Sequence, residues 1–141
     1  MQSPTPLDEE YTFEKGLIIS STDLKGIITY ANRKFCEIAG YHKDELIGKN
    51  HNIIRHPDMP KAAFQGLWET LSKGEEWAGP VKNLRKDGKY YWVHTHITPV
   101  LSQEGVVMSY TAARRPVSTS EIDAITSVYH EMLTKEKNNA H

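Results

Sequence analysis

An α+β domain, with a five-stranded antiparallel sheet and short helices on one face, is the architecture that this 141-residue sequence predicts. Three observations carry it. Two β-rich runs separated by turn residues come first. Several short helical patterns, each punctuated by glycine, occupy the middle. A stretch of period two, broken by an Asp-Gly turn and by Gly105, closes the domain.

Leu17-Ile18-Ile19-Ser20-Ser21-Thr22 and Ile27-Ile28-Thr29-Tyr30 flank Asp23-Leu24-Lys25-Gly26, which reads as a hairpin. Asn32 can cap a helix running through Cys36 to Ala39 because its side-chain oxygen can accept a free first-turn amide proton; Gly40 can end that helix. Phe35, Ile38 and Ala39 give it a buried face. A helical turn over 43–47 closes at Gly48. A longer helix fits 60–72, with Pro60 in its first turn and Ala63, Phe64, Leu67, Trp68 and Leu71 at helical spacing.

From Trp77 the period is two, with Val81, Asn83 and Arg85 on one strand face and Lys82 and Leu84 on the other. The Asp87-Gly88 pair suits a tight hairpin. Tyr91, Val93, Thr95 and Ile97 then alternate with Tyr90, Trp92, His94 and His96. Gly105 opens a last strand through Val106, Met108, Tyr110 and Ala112. After Pro116, Ser118-Thr119-Ser120-Glu121 forms a capping box ahead of an apolar stripe of Ile122, Ile125, Val128 or Tyr129, and Met132. The expected layout is a polar arm over 1–15, a domain over 16–116, and a C-terminal amphipathic interaction helix and tail over 117–141, outside the domain proper.

A formal net charge of -1 gives no electrostatic footprint for nucleic acid. One cysteine, Cys36, cannot form an intramolecular disulfide. No apolar run approaches the ~20 residues that span a bilayer, and the first residues lack the pattern of a signal peptide, so a cytoplasmic protein with no direct membrane insertion is expected. His94 and His96 share a strand face, but no cysteine or carboxylate completes a metal set, and no metal site is expected. No catalytic residues are assigned, since neither a phosphate-binding glycine loop nor a nucleophile-base pair can be placed, which argues against an enzyme such as a flavin reductase.

The informative stretch is Asn50-His51-Asn52-Ile53-Ile54-Arg55-His56-Pro57-Asp58-Met59-Pro60, followed by Trp77-Ala78-Gly79 and Lys82-Asn83. It packs polar side chains into what otherwise reads as core, where burial without a ligand is costly. Taken singly, Trp68, Trp77 and Trp92 read as packing residues, and Arg55-His56-Pro57-Asp58 as a turn with a local ion pair.

Together, the two strands, the Asn-x-x-Phe helix start, Gly40-Tyr41 before an acidic turn, Glu45-Leu46-Ile47-Gly48, and Arg85-Lys86-Asp87-Gly88 followed by Tyr91-Trp92 resemble the PAS domain family. The run from His51 to Phe64, with Trp77-x-Gly79 and Val81-Lys82-Asn83 behind it, is similar to the flavin-binding PAS domain of bacterial aerotaxis and energy-taxis receptors. The resemblance covers about Leu17 to Arg115. It implies the PAS fold, with a ligand pocket enclosed by sheet and helices. It also implies a noncovalent FAD whose redox state is passed to a methyl-accepting chemotaxis receptor, or HAMP-type signalling domain, in cis or in trans. A stand-alone PAS partner of such a receptor fits the same pattern, and a homodimer is compatible with the apolar stripe of the tail.

Carried over residue by residue, the matching positions are Asn32, Arg55, His56, Asp58, Trp77 and Asn83; Ile53, Ile54, Met59 and Trp68 are expected as apolar walls. An isoalloxazine ring is flat and apolar on its faces with donors and acceptors along its edge, so it needs such walls and an amide reader, here Asn83. Arg55 is expected at the pyrophosphate or the pyrimidine edge, with His56 and Asp58 orienting it or each other. Compared with light-sensing flavin PAS relatives, His51 stands where their photoreactive cysteine would be, Val93 where they carry a second ring-contacting Asn, and Thr111 where they carry a last-strand Gln; light sensing is therefore disfavoured. Two alternatives within the fold are a haem-binding oxygen sensor using His51 or His56, and a ligand-free dimerisation module.

Overall fold

The computed structural model describes residues 4–139. Met1–Ser3 of the expected arm and the last two residues of the expected tail lie outside the described residues. The chain forms β1 (Ile18–Thr22), β2 (Ile28–Ala31), α1 (Arg33–Ala39), α2 (Lys43–Leu46), a 3-10 turn (His51–Ile54), α3 (Lys61–Ser72), β3 (Trp77–Leu84), β4 (Tyr90–Leu101), β5 (Val107–Arg115) and α4 (Thr119–Asn139). The five strands make one antiparallel sheet in the order β2-β1-β5-β4-β3.

Local chemistry explains each turn. The Asp23 carboxylate accepts from the amides of Lys25 and Ile27, and Gly26 takes the positive φ that closes the first hairpin. Gly88, at φ +94, does the same between β3 and β4, where the Arg85 amide bonds to the Lys89 carbonyl. β3 ends at Leu84, so Arg85 is a turn residue and does not continue the strand face of Val81 and Asn83. Its guanidinium instead bonds the Glu37 and Ile38 carbonyls, pairs with Asp87 and stacks on Tyr11.

The two hairpins become one sheet because β1 pairs with β5, Ser20 opposite Ala112 and Ile18 opposite Arg114. Inward residues of β1, β4 and the helices, among them Ile18, Phe35, Ile38, Leu46, Ile54, Tyr91 and Val93, form the principal core. A smaller cluster of Leu67, Leu71 and Tyr110 sits under α3, with Trp77 packed against it. Alternation along β4 sends Tyr91, Val93 and Thr95 inward and leaves Trp92 and His94 on the opposite face.

The ends of the chain depart from expectation. Glu9 and Tyr11 exchange backbone hydrogen bonds with Tyr90, so the second half of the N-terminal arm lies along the β3–β4 hairpin. α4 does not stand clear of the domain. Glu121 meets His94 at 3.1 Å on the outer face of β4, Tyr129 reaches Pro80 on the edge strand β3, and the Glu136 carboxylate accepts from the amides of Lys61 and Ala62 at 3.1 and 2.8 Å. The predicted stripe is what buries: Ile125, Tyr129 and Met132 join the core, while Val128 is exposed. Pro60 at the head of α3 offers no capping side chain, so the carboxylate that satisfies its free amides comes from the other end of the chain.

Candidate functional site

Between the helices and the inner face of the sheet lies a cavity of about 350 Å³, within the size range of small-molecule sites. Its apolar wall comes from Phe64, Leu67 and Leu71 of α3, Ile54 of the 3-10 turn, Val81 of β3 and Ala112 of β5. Its polar groups are Ser20 and Thr22 of β1, His51, Arg55, Asn83, Thr95 and Arg114. Leu24, Lys25, Asn52 and Trp68 line it while exposed to solvent, and mark its mouth.

Four of the sequence-derived candidates line this cavity: Ile54, Arg55, Trp68 and Asn83. Asn83 is only 4% exposed, and its backbone forms an isolated antiparallel bridge with Arg55, which joins the loop before α3 to the free edge of the sheet. The Arg55 guanidinium donates to the Met59 carbonyl at 3.1 Å and lies 4.6 Å from the centre of the Phe64 ring. Trp68 is 41% exposed and meets Tyr110 edge to face, with ring centres 5.5 Å apart.

The other six lie outside the lining. The Asn32 side chain accepts from the amides of Ile19 and Phe35 and donates to the Leu17 carbonyl, tying the start of α1 to β1. His56 is buried, and its Nδ1 accepts from the Asp58 amide at 3.0 Å. Burial, then Lys82, lowers the His56 pKa, against the opposing pull of Asp58, so the ring is neutral. Burial alone would raise the Asp58 carboxyl, but its 2.9 Å contact with Lys82 brings it below the usual range. His56 and Asp58 thus engage each other and Asp58 also pairs with Lys82, whereas Arg55 is oriented by Met59 and Phe64. Met59 is buried, Ile53 packs on the principal core, and Trp77 stands behind the α3 wall.

Several lining residues escaped sequence reasoning. Thr95 is 4% exposed and its hydroxyl has no hydrogen-bond partner among the described residues. On β5 the lining positions are Tyr110, Ala112 and Arg114; Thr111 is directed instead toward Ser21 on the other face. Arg114 donates to Ser20 Oγ at 3.0 Å and to His51 Nε2 at 2.7 Å. Burial first, and Arg114 second, bring the His51 pKa down to about 3, so this imidazole is neutral and accepts through Nε2. The signal for Arg114 was its place in the alternation, two residues past Ala112, a position readable only once the inward face of β5 is known. Among the described residues no cluster of three or more His, Cys, Asp or Glu side chains is arranged to hold a metal ion.

A buried hydroxyl without a partner, an amide and a cationic fork spread along an apolar slot fit a ligand with apolar faces and polar groups along its length.

The PAS fold family matches residues 28–114. The chain is 44% identical over 128 residues to the aerotaxis receptor of Escherichia coli (strain K12), covering 91% of this chain and 24% of the receptor. It is 36% identical over 107 residues to a nitrogen fixation regulatory protein of Klebsiella pneumoniae (76% of this chain, 22% of that protein). It is 31% identical over 114 residues to the biofilm dispersion protein BdlA of Pseudomonas aeruginosa (80% and 26%). The chain thus spans about a quarter of the length of these curated relatives. Among solved structures, the dark structure of the blue-light photoreceptor Aureochrome1 LOV superposes with a TM-score of 0.68 at 23% identity, covering 88% of this chain and 86% of that one, which shows the fold. A light-oxygen-voltage domain from work on a flavin analogue gives 0.65 at 25% identity (89% and 88%). With its matched segment spanning four of the five strands and the three helices between them, this chain belongs to the PAS fold family and is homologous to part of an aerotaxis receptor.

Proposed function

We propose that this chain is a sensory PAS domain that holds FAD noncovalently and reports redox or energy state to a chemotaxis transducer, in cis or in trans, from the cytoplasm. One observation carries the reading. The cavity pairs an apolar slot with the Asn83 amide and, further along the sheet where Thr95 lies opposite Gly79, with a buried Thr95 hydroxyl that has no partner among the described residues, in a chain 44% identical to an aerotaxis receptor.

Ile54, Val81, Leu67 and Leu71 would sandwich the ring, Asn83 would read its edge, Thr95 would meet the ligand further along the sheet, and Trp68 would shield the mouth. Bound flavin supplies reversible electron uptake coupled to protonation, which exchanges an acceptor for a donor along that edge. The Asn83 amide can answer either state because it carries both a carbonyl and an NH2. A buried mismatch costs on the order of 1–3 kcal/mol, comparable to ordinary allosteric coupling. Asn83 lies three residues from Pro80, to which Tyr129 of α4 is bonded, so a change at the reader has a short path to the tail helix. Among the described residues no helix is long and apolar enough to cross a membrane.

The flavin reading is favoured over haem because both candidate histidines are engaged: His51 Nε2 by Arg114, and His56 Nδ1 by the Asp58 amide. The role is that of a sensor, without catalysis. The test is an absorption spectrum of the purified chain, followed by heat release of the chromophore and chromatography against FAD and FMN. A flavin spectrum with released FAD is expected. A folded, colourless protein that takes up no flavin on reconstitution overturns the reading, and a Soret band replaces it with haem.

A further inference from the structure

A second pocket, of about 440 Å³, lies where the end of β2 meets α1 and α2. It shares no lining residue with the cavity under α3. Tyr30, Arg33, His42 and Lys43 are exposed at its rim, and the buried Tyr41 and half-buried Cys36 lie deeper. No carboxylate lines it. Neither Arg33 nor Lys43 enters an ion pair among the described residues. The acids nearest along the chain are engaged or stand outside: Glu45 pairs with Lys86 at 2.6 Å and accepts from the His42 amide, Glu37 faces Lys34, and Asp44 is exposed and absent from the lining.

The neutral groups of the pocket point to the same kind of ligand. Burial raises the Cys36 thiol more than nearby Lys43 lowers it, so the sulfur brings no negative charge. Tyr41 is 3% exposed, burial holds its phenol protonated, and its hydroxyl takes no part in the hydrogen bonds among the described residues. A buried donor that borders a pocket and has no protein partner needs its acceptor from the pocket itself. The Tyr30 ring stands at the rim with Lys43 Nζ 6.0 Å from its centre.

We infer that this pocket is a second binding site, for a small aromatic carboxylate. The planar fork of Arg33 matches two carboxylate oxygens, Lys43 adds a point charge, and the Tyr41 hydroxyl donates a further hydrogen bond. The ligand ring lies against the tyrosine rings and Ala31. Inorganic phosphate would meet the cations but leave those apolar surfaces unused. The site stands independently of the flavin reading, because the two cavities are lined by different residues.

The experiment is a heteronuclear NMR titration of the full chain with sodium benzoate at constant ionic strength. Saturable shifts are expected at the amides of residues 30–43, with a dissociation constant in the millimolar range. Arg33→Gln and Lys43→Gln, both at exposed positions, should each weaken benzoate about tenfold. Tyr41→Phe, which keeps the buried ring, should weaken it about fivefold. Inorganic phosphate and benzyl alcohol, which carry only the charge or only the ring, should each bind at least about tenfold more weakly than benzoate. No saturable shift at residues 30–43, shifts centred instead on Asn83 and Arg114, or an affinity unchanged in both Arg33→Gln and Lys43→Gln overturns the site. Phosphate or benzyl alcohol binding as tightly as benzoate overturns the ligand class.

Discussion

The Tyr129 hydroxyl of α4 donates to the backbone carbonyl of Pro80 on β3 across 2.6 Å, although 49 residues separate them. β3 is an edge strand, and this bond and the Arg55–Asn83 bridge both cover its otherwise open side. The tail helix is thereby joined to the strand that carries the edge reader of the cavity.

Tyr129→Phe keeps the ring in the core and removes only that bond. It should lower unfolding free energy by about 1 kcal/mol, measured by urea denaturation at unchanged m-value. No change in midpoint would mean that the bond is not populated in solution.

Glu136→Gln removes the carboxylate from the head of α3. Hydrogen bonds from the Ala62 and Lys61 amides hold the Glu136 carboxyl below its ordinary value of 4.5. Its contribution is therefore complete above that value and lost as pH falls through the lower folded one. The variant should melt earlier than wild type near neutral pH, and the two should converge in acid. Parallel melting curves at every pH would remove Glu136 from the cap.

Asn32→Ala separates a structural role from a ligand role. The side chain caps α1 and bonds β1, so a loss of about 1–2 kcal/mol is expected in chemical denaturation. Flavin content per folded molecule should stay at the wild-type level, and a folded variant depleted of flavin would return Asn32 to the binding site.

Thr95→Val replaces the unpartnered hydroxyl with a methyl of similar shape. The ligand-free protein should be as stable as wild type or slightly more so, because a buried polar group without a partner is removed. Flavin affinity should fall by about 1 kcal/mol, roughly fivefold, in a fluorescence titration. Equal affinity would exclude the hydroxyl from ligand contact.

His51 gives the domain an acid limit. The unfolded chain protonates this residue as pH falls below 6.5, whereas the folded chain resists until about 3. The folded state therefore loses stability progressively across that window as pH falls. His51→Gln should flatten the pH dependence of the denaturation midpoint there, and an equally steep dependence would locate the acid sensitivity elsewhere.

Within the domain, local chemistry was legible. Asn32 bounds α1 by its side chain and Gly40 by its left-handed backbone, as expected, Gly88 closes the hairpin, and the alternation along β4 assigned Tyr91, Val93 and Thr95 to one face. The sequence motifs also located the cavity's neighbourhood, since Ile54, Arg55 and Asn83 all line it. The same motif put His56 and Asp58 beside Arg55 in sequence without revealing that Asp58 turns toward Lys82, because side-chain direction in a turn follows from what packs against it.

By itself, the sequence determined the elements, their order and the family, because periodicity, caps and turn residues act over a few neighbours. Tertiary structure alone decided that β1 lies against β5, that Arg114 is carried inside to meet His51 and Ser20, and that Glu136 returns to cap α3. Those contacts join residues 63 to 96 positions apart, and the groups they satisfy are fixed by burial and hydrogen-bond demand, which arise only after the chain has closed on itself.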